Sequence, residues 1–331
     1  MDMPHAPTLG HLQTVFSRLR DGLRQQIIGQ PRLIDCLLIA LLADGHLLVE
    51  GAPGLAKTTA VKALATRIDA DFHRVQFTPD LLPADLTGTD VFRPQSATFE
   101  FERGPLFHNI VLADEINRAP AKVQSALLEA MAERQITVGR NTWRLPELFM
   151  VMATQNPIEQ EGTFALPEAQ LDRFLLHVTI GYPDAAAELA ILRLAREQAA
   201  KPACTSVATT PLLSQEDVFA ARQAVLGVHV APALEQYLAQ LVLATRDAGQ
   251  YGPELKRWIA WGASPRATIA LDRGARAHAW LAGRDFALPE DVHAIVHEVL
   301  RHRVLLSYEA EAEGIRSDKV IDRLLDLVPL P

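Results

Sequence analysis

Cysteine is almost missing from this chain of 331 residues: only Cys36 and Cys204 occur. They lie far apart without metal-type spacing, which argues against a disulfide framework or a zinc module and fits a reducing, cytoplasmic compartment. Long apolar runs are missing too. The richest stretch, CLLIALLA at Cys36–Ala43, is broken by Asp44–Gly45 and is too short to cross a bilayer. The start, MDMPHAPTLGHLQ, lacks the basic and apolar segments of a secretion signal. No membrane insertion is therefore expected. Positive charge is also in deficit, with 32 Lys and Arg against 40 Asp and Glu and a net charge of −8. The broad basic face that nucleic-acid backbones require is lacking, so nucleic acid is not the expected partner. Internal repeats and low-complexity tracts are absent as well.

What remains is the composition of an ordinary soluble globular protein, 49% apolar and 22% charged. Its length allows a large core and a smaller second domain. In the first half, short β-like runs alternate with helical patterns. The runs are His46–Glu50, Phe72–Phe77, Asn109–Asp114, Leu148–Thr154 and Phe174–Ile180, and their alternation predicts an α/β fold, a parallel sheet flanked by helices. After Gly181–Tyr182–Pro183 the pattern is helical only. Helices are predicted near Ala185–Ala200, Gln215–Leu226, Pro232–Asp247, Pro265–Ala282 and Pro289–Arg303, with starts marked by Ser264–Pro265 and Leu288–Pro289–Glu290–Asp291. Lys201–Leu213 reads as a linker between two of them.

Directly after the first run comes GAPGLAKTT: Gly51, Ala52, Pro53, Gly54, Leu55, Ala56, Lys57, Thr58 and Thr59. A strand, a glycine-rich loop and a helix form the context of a phosphate-binding P-loop. Gly51 and Gly54 let the backbone wrap, Lys57 meets the β- and γ-phosphates of ATP, and Thr58 offers a hydroxyl to Mg²⁺. The general pattern asks for glycine where Ala56 stands, and the methyl is tolerable if φ there is negative. Downstream, the run Asn109–Asp114 ends in the pair Asp114–Glu115. Successive strand side chains point opposite ways. Asp114 can then hold magnesium through water while Glu115 polarises an attacking water. Alone, such a pair could equally face solvent; the P-loop upstream favours the catalytic reading.

These residues resemble the AAA+ superfamily and, within it, the MoxR family of ATPases. The resemblance is carried by GAPGLAKT with its Ala56, LADEINRAPAKVQSALLEAMAE at Leu112–Glu133, VMATQNPIEQEGTFALPEAQLDRF at Val151–Phe174, and GASPRA at Gly262–Ala267. It covers nearly the whole chain. It implies a P-loop AAA+ core over residues 1–183, with a parallel five-stranded sheet, an N-terminal helix and two hairpin insertions. A small all-helical lid over residues 184–331 is implied to follow. By the same resemblance Asn156 looks like the sensor-1 residue that positions the lytic water, and Ile28–Gly29–Gln30 like the adenine site. Arg173 looks like the finger that enters a neighbour's site, worth roughly 10³- to 10⁵-fold in rate. Arg266 looks like the sensor-2 residue that reports γ-phosphate loss. Its place at a helix start opposes the dipole, so a compensating anion is expected there, a phosphate or a nearby carboxylate.

The stretch from Thr78 to His108 is too long for a plain connection. Asp90–Gly104 reads as a hairpin turned at Pro94–Ala97, and Gln135–Pro146 as another turned at Gly139–Asn141. Both match insertions that face the axial pore in MoxR-like rings. Phe92, Phe99, Arg140 and Trp143 would then meet a client protein; packing of these aromatics on the core is the open alternative.

The resemblance implies Mg-dependent ATP hydrolysis by a homo-oligomeric ring, a hexamer. That activity would drive chaperone-like remodelling or maturation of a partner protein, such as metal or cofactor insertion or complex assembly, with a von Willebrand factor A domain adaptor. A DNA motor or transcription activator shares the motifs but is opposed by the acidic balance. A non-hydrolysing ATP switch or scaffold is opposed by the joint presence of Glu115, Asn156 and Arg173.

Overall fold

The most apolar helix decides how the two halves of the chain pack. Apart from Arg32 and Asp35 near its start, Pro31–Leu42 is apolar, and such a helix must be buried on most of its sides; Leu33, Ile34 and Cys36 to Leu42 are indeed buried. It touches the preceding helix Leu9–Gln26, the parallel sheet, and the helices Gln215–Leu226 and Pro265–Leu281. One continuous apolar core therefore runs from the sheet into the C-terminal helices. Burial pushes the Cys36 thiol up to about 12, which makes it an inert packing group. The computed structural model describes residues 9–52, 54–156, 162–200 and 211–331.

The strands in chain order are β1 (Leu47–Glu50), β2 (Phe72–Gln76), β3 (Gly88–Arg93), β4 (Thr98–Arg103), β5 (Ile110–Asp114), β6 (Gln135–Val138), β7 (Asn141–Arg144), β8 (Met150–Gln155), β9 (Leu176–Thr179), β10 (Ile259–Trp261) and β11 (Leu305–Leu306). The main sheet has the order β2-β5-β8-β1-β9, and each neighbouring pair is parallel. β8 thus lies between β1 and β5. The carboxyl ends of the loop strand, the acidic strand and the strand leading to Asn156 come side by side, where open α/β sheets bind ligands.

Both predicted hairpins form. β3 and β4 pair from Gly88↔Arg103 to Arg93↔Thr98. β6 and β7 pair as predicted, except that Asn141, expected in the turn, already opens β7 opposite Val138. The Trp143 ring stacks on Phe101, centroids 4.8 Å apart and planes at 12°, which fastens one hairpin to the other. Phe92 and Phe99 lie against each other at 5.2 Å and stay 50% and 71% exposed. Of the aromatics expected at a client surface, these two present themselves and Trp143 does not.

The C-terminal part is helical as expected, with two corrections. Pro289–Arg303 is not one helix but two short ones, Pro289–His293 and Val296–Leu300. Between them Ile295 leaves the helical region, at φ −131°, and seats its side chain over Gly274, where an added Cβ would meet Ile295 Cδ1 at 2.8 Å. β10 and β11 add a small antiparallel pair, too short to show period-2 alternation. Of the expected linker, Lys201–Thr210 lies outside the described residues; Leu212 and Leu213 donate to the Arg67 carbonyl at 2.8 and 3.2 Å. Among the described residues no helix is long and apolar enough to cross a membrane.

Two sealed histidines give the fold an acid limit. His46 Nδ1 accepts the Val151 N–H at 3.0 Å, and burial pushes its pKa down from 6.5 to about 4. Burial, with Arg303 beside it, also holds His302 well below 6.5. Because both folded values lie below the unfolded one, the unfolded chain binds more protons in that window. Stability is complete above about pH 6.5 and is lost as pH falls toward 4. Urea unfolding is expected to show a loss of about 1.5 kcal/mol from His46 between pH 6.5 and pH 5, with His302 acting in the same direction. A flat stability curve over that range would mean that neither ring is sealed.

Candidate active site

The loop after β1 is shaped by what its residues cannot carry. A Cβ on Gly51 would meet Ile180 Cγ1 at 2.4 Å and Ile180 O at 2.8 Å, so only glycine lets the chain leave the sheet between β1 and the end of β9. Gly54 takes φ +82°, a region glycine enters without strain. Pro53 lies outside the described residues. The condition under which the Ala56 methyl costs nothing, a negative φ, is not met: φ is 56° and ψ 19°, a left-handed turn that feeds the helix Lys57–Arg67. An L-residue there carries about 1–2 kcal/mol of strain. Ala56→Gly is accordingly expected to stabilise the fold by about 0.5–1 kcal/mol, the relief less the added entropy of the unfolded chain. A chemical-denaturation midpoint that falls in this variant would refute the strain.

Beyond this loop opens a cavity of about 350 Å³ lined by Gly54 to Thr59, Arg74, Asp114, Glu115 and Asn156. The structure thereby brings together Lys57, Thr58, Asp114, Glu115 and Asn156 from three neighbouring strands and their loops. Ala52 and Leu55 of the loop are buried. Lys57 Nζ donates to Gly51 O at 2.8 Å; burial lowers its pKa, opposed by Asp114 and Glu115. Thr154, unremarked in the sequence, ties the acids together. Its hydroxyl donates to Asp114 Oδ1 at 2.6 Å and accepts the Glu115 N–H at 2.8 Å.

Each acid also has partners that sequence reasoning missed. Arg74 donates to Asp114 Oδ2 through Nη2 at 2.7 Å and Nε at 3.0 Å. Gln76 Nε2 donates to Glu115 Oε2 at 2.7 Å, and Arg118 Nε lies 3.3 Å from the same oxygen. Glu115 itself stands at φ 58°, left-handed, which turns its side chain out of the strand's register. Arg74 and Gln76 alternate on β2 and so share a face, but only the sheet order puts that face beside β5. The donor set fits a small hard cation: the Thr58 hydroxyl and the Asp114 carboxylate offer oxygen at a cavity edge, as Mg²⁺ bound with phosphate requires. Among the described residues no group of His, Cys, Asp and Glu could hold a metal unaided.

Arg266, expected to sense this nucleotide, and Arg173, expected to reach a neighbour's, both lie away from the loop. Arg173 and Arg266 line a separate cavity of about 340 Å³ with Arg134, Asp172 and Arg273. Arg173 Nη1 donates to Leu128 O. Arg266 Nη1 lies 3.7 Å from Asp172 Oδ2, so the anion that compensates it in this chain is a carboxylate. Asp172 also accepts from the Ser264 hydroxyl at 2.8 Å and from Arg303 Nε at 2.8 Å, which pins the segment before Arg173 to the C-terminal helices. At the expected adenine site, Ile28 and Gly29 line a third cavity, of about 520 Å³, with Tyr182, Pro183 and Asp184. Gln30 is not in that lining: it is buried, and its amide donates to Gly181 O at 3.0 Å, a brace rather than a contact.

Comparison with known proteins gives the same picture at larger scale. Residues 46–176 match the ATPase family associated with various cellular activities, and residues 255–324 match an AAA lid domain. The chain is 45% identical to "Chaperone MoxR1" of Mycobacterium tuberculosis over 92% of its own length and 79% of that protein's. It is 35% identical to "Protein MoxR" of Paracoccus denitrificans, over 95% of this chain and 97% of the other. The crystal structure of a candidate ATPase from Cytophaga hutchinsonii superposes with a TM-score of 0.89 at 44% identity, covering 97% of this chain and 96% of that one.

Proposed function

Since the chain belongs to the MoxR family of AAA+ ATPases, we propose that it hydrolyses Mg·ATP and uses the resulting motion to remodel or mature a partner protein. The observation that carries this reading is the convergence of Lys57, Thr58, Asp114, Glu115 and Asn156 on one cavity beside a glycine-shaped loop. In it Lys57 and the N-terminus of its helix hold the β- and γ-phosphates. Thr58 and Asp114 would hold the metal, Asp114 through water, and Mg²⁺ bound there would neutralise charge on the phosphate oxygens. Glu115 takes up the proton of the attacking water, and the Asn156 amide orients that water by donating and accepting at once. The adenine ring lies in the cavity edged by Ile28, Gly29 and Tyr182.

Arg173 and Arg266 share a cavity apart from this one, so in the proposed mechanism both serve the nucleotide of an adjoining subunit. Rings follow from that division, with a hexamer as the expected closure. Cytoplasmic location, a von Willebrand factor A domain adaptor and a protein client held by the exposed Phe92–Phe99 pair complete the proposal. "Chaperone" in the name of the mycobacterial relative supports it. The test is ATP turnover per subunit against protein concentration, with mass followed by light scattering. Turnover should climb as oligomers form. A rate independent of assembly would leave a self-contained P-loop ATPase instead.

A further inference from the structure

Asp114 is the carboxylate proposed to hold Mg²⁺ through water, yet both of its oxygens are engaged. Oδ1 accepts the Thr154 hydroxyl at 2.6 Å, and Oδ2 accepts two nitrogens of Arg74 at 2.7 and 3.0 Å. The Arg74 side chain is 49% exposed and the Asp114 side chain 13%. With its guanidinium end half in solvent the pair is screened, which limits what the contact adds to stability, and an arginine on the edge strand of the sheet has solvent to swing into. Its place is more specific: Arg74 lines the same cavity as Lys57 and Thr58 and occupies Oδ2, one of the two oxygens through which Asp114 could reach a metal-bound water.

We propose that Arg74 is a placeholder for the metal, a resident cation that competes with Mg²⁺ for Asp114 Oδ2 and so raises the Mg²⁺ concentration at which the site loads. This rests on the nucleotide-binding reading of the cavity. The guanidinium neutralises Asp114 until a divalent ion arrives with the phosphates, and then swings away into solvent. The exchange reaches the second acid as well. Gln76 accepts from Arg74 Nη2 at 2.9 Å while it donates to Glu115 Oε2 at 2.7 Å, so the departure of Arg74 loosens the amide that holds Glu115.

The experiment is equilibrium binding of a fluorescent ATP derivative to the full chain, first in EDTA and then across a Mg²⁺ titration, for the native protein, Arg74→Gln and Arg74→Lys. For Arg74→Gln the Mg²⁺ midpoint should fall by about two- to fivefold, with affinity in EDTA changed by less than about twofold. Arg74→Lys should lie between the two, since it keeps the charge and loses the fork. An unchanged or raised midpoint overturns the proposal. So does a large loss of affinity in EDTA, which would make Arg74 a phosphate contact. If the native chain binds no nucleotide in either condition, the nucleotide reading itself falls and this proposal with it. Matching urea midpoints for the three proteins exclude misfolding as the cause of any difference.

Discussion

Arg173→Ala is expected to lower ATP turnover per subunit by about 10³-fold or more, with nucleotide affinity and oligomeric mass unchanged. The reason is geometric. Within one chain Arg173 shares no cavity with the P-loop, and its guanidinium is occupied by the Leu128 carbonyl. A residue so placed is out of reach of its own chain's phosphate site, which fits the proposed action on a neighbouring subunit. Mixing makes the prediction sharper: Arg173→Ala subunits keep an intact phosphate site, and Lys57→Ala subunits keep an intact finger. Combined in one ring, these two inactive variants should regain part of the native rate. A mixture as inactive as its components would mean that Arg173 acts within its own chain or only supports the fold.

What was legible in the sequence was whatever is written locally. The five parallel strands came from short apolar runs between helical patterns, and the loop and the acidic pair came from contiguous strings. The start at Ser264–Pro265 is another such case: the Ser264 hydroxyl accepts the Arg266 N–H at 3.1 Å, a cap confined to three neighbouring positions. The parts that escaped depend on which strand lies beside which. Arg74 and Gln76 gain meaning only because Gln76 is in register with Asp114. The position of Arg266 depends on how the C-terminal helices settle against the helix Pro31–Leu42, a contact between segments far apart in the chain. Ala56 shows a third limit, since residue type constrains φ without determining it, and the turn into the helix demanded the left-handed value.

Glu115→Gln is expected to reduce hydrolysis by about 10²- to 10⁴-fold while ATP remains bound. The substitution keeps the shape of the side chain and one carbonyl oxygen, which can still accept from Gln76 and Arg118, so the local hydrogen bonds and the left-handed turn at this residue persist. What it removes is the capacity to take a proton from water. Binding to the phosphates, which the proposed mechanism gives to Lys57, Thr58 and the loop, should survive. The assembled variant would therefore retain ATP rather than ADP, measurable as the nucleotide recovered after rapid gel filtration and as a single-turnover rate near the uncatalysed background. This outcome separates an engine from a switch. A chain whose purpose is to hold ATP should behave alike with Glu or Gln at this position, whereas one that cycles should stall with its client engaged. Equal turnover in the two proteins would remove Glu115 as the base and return the acidic pair to a role in metal binding alone.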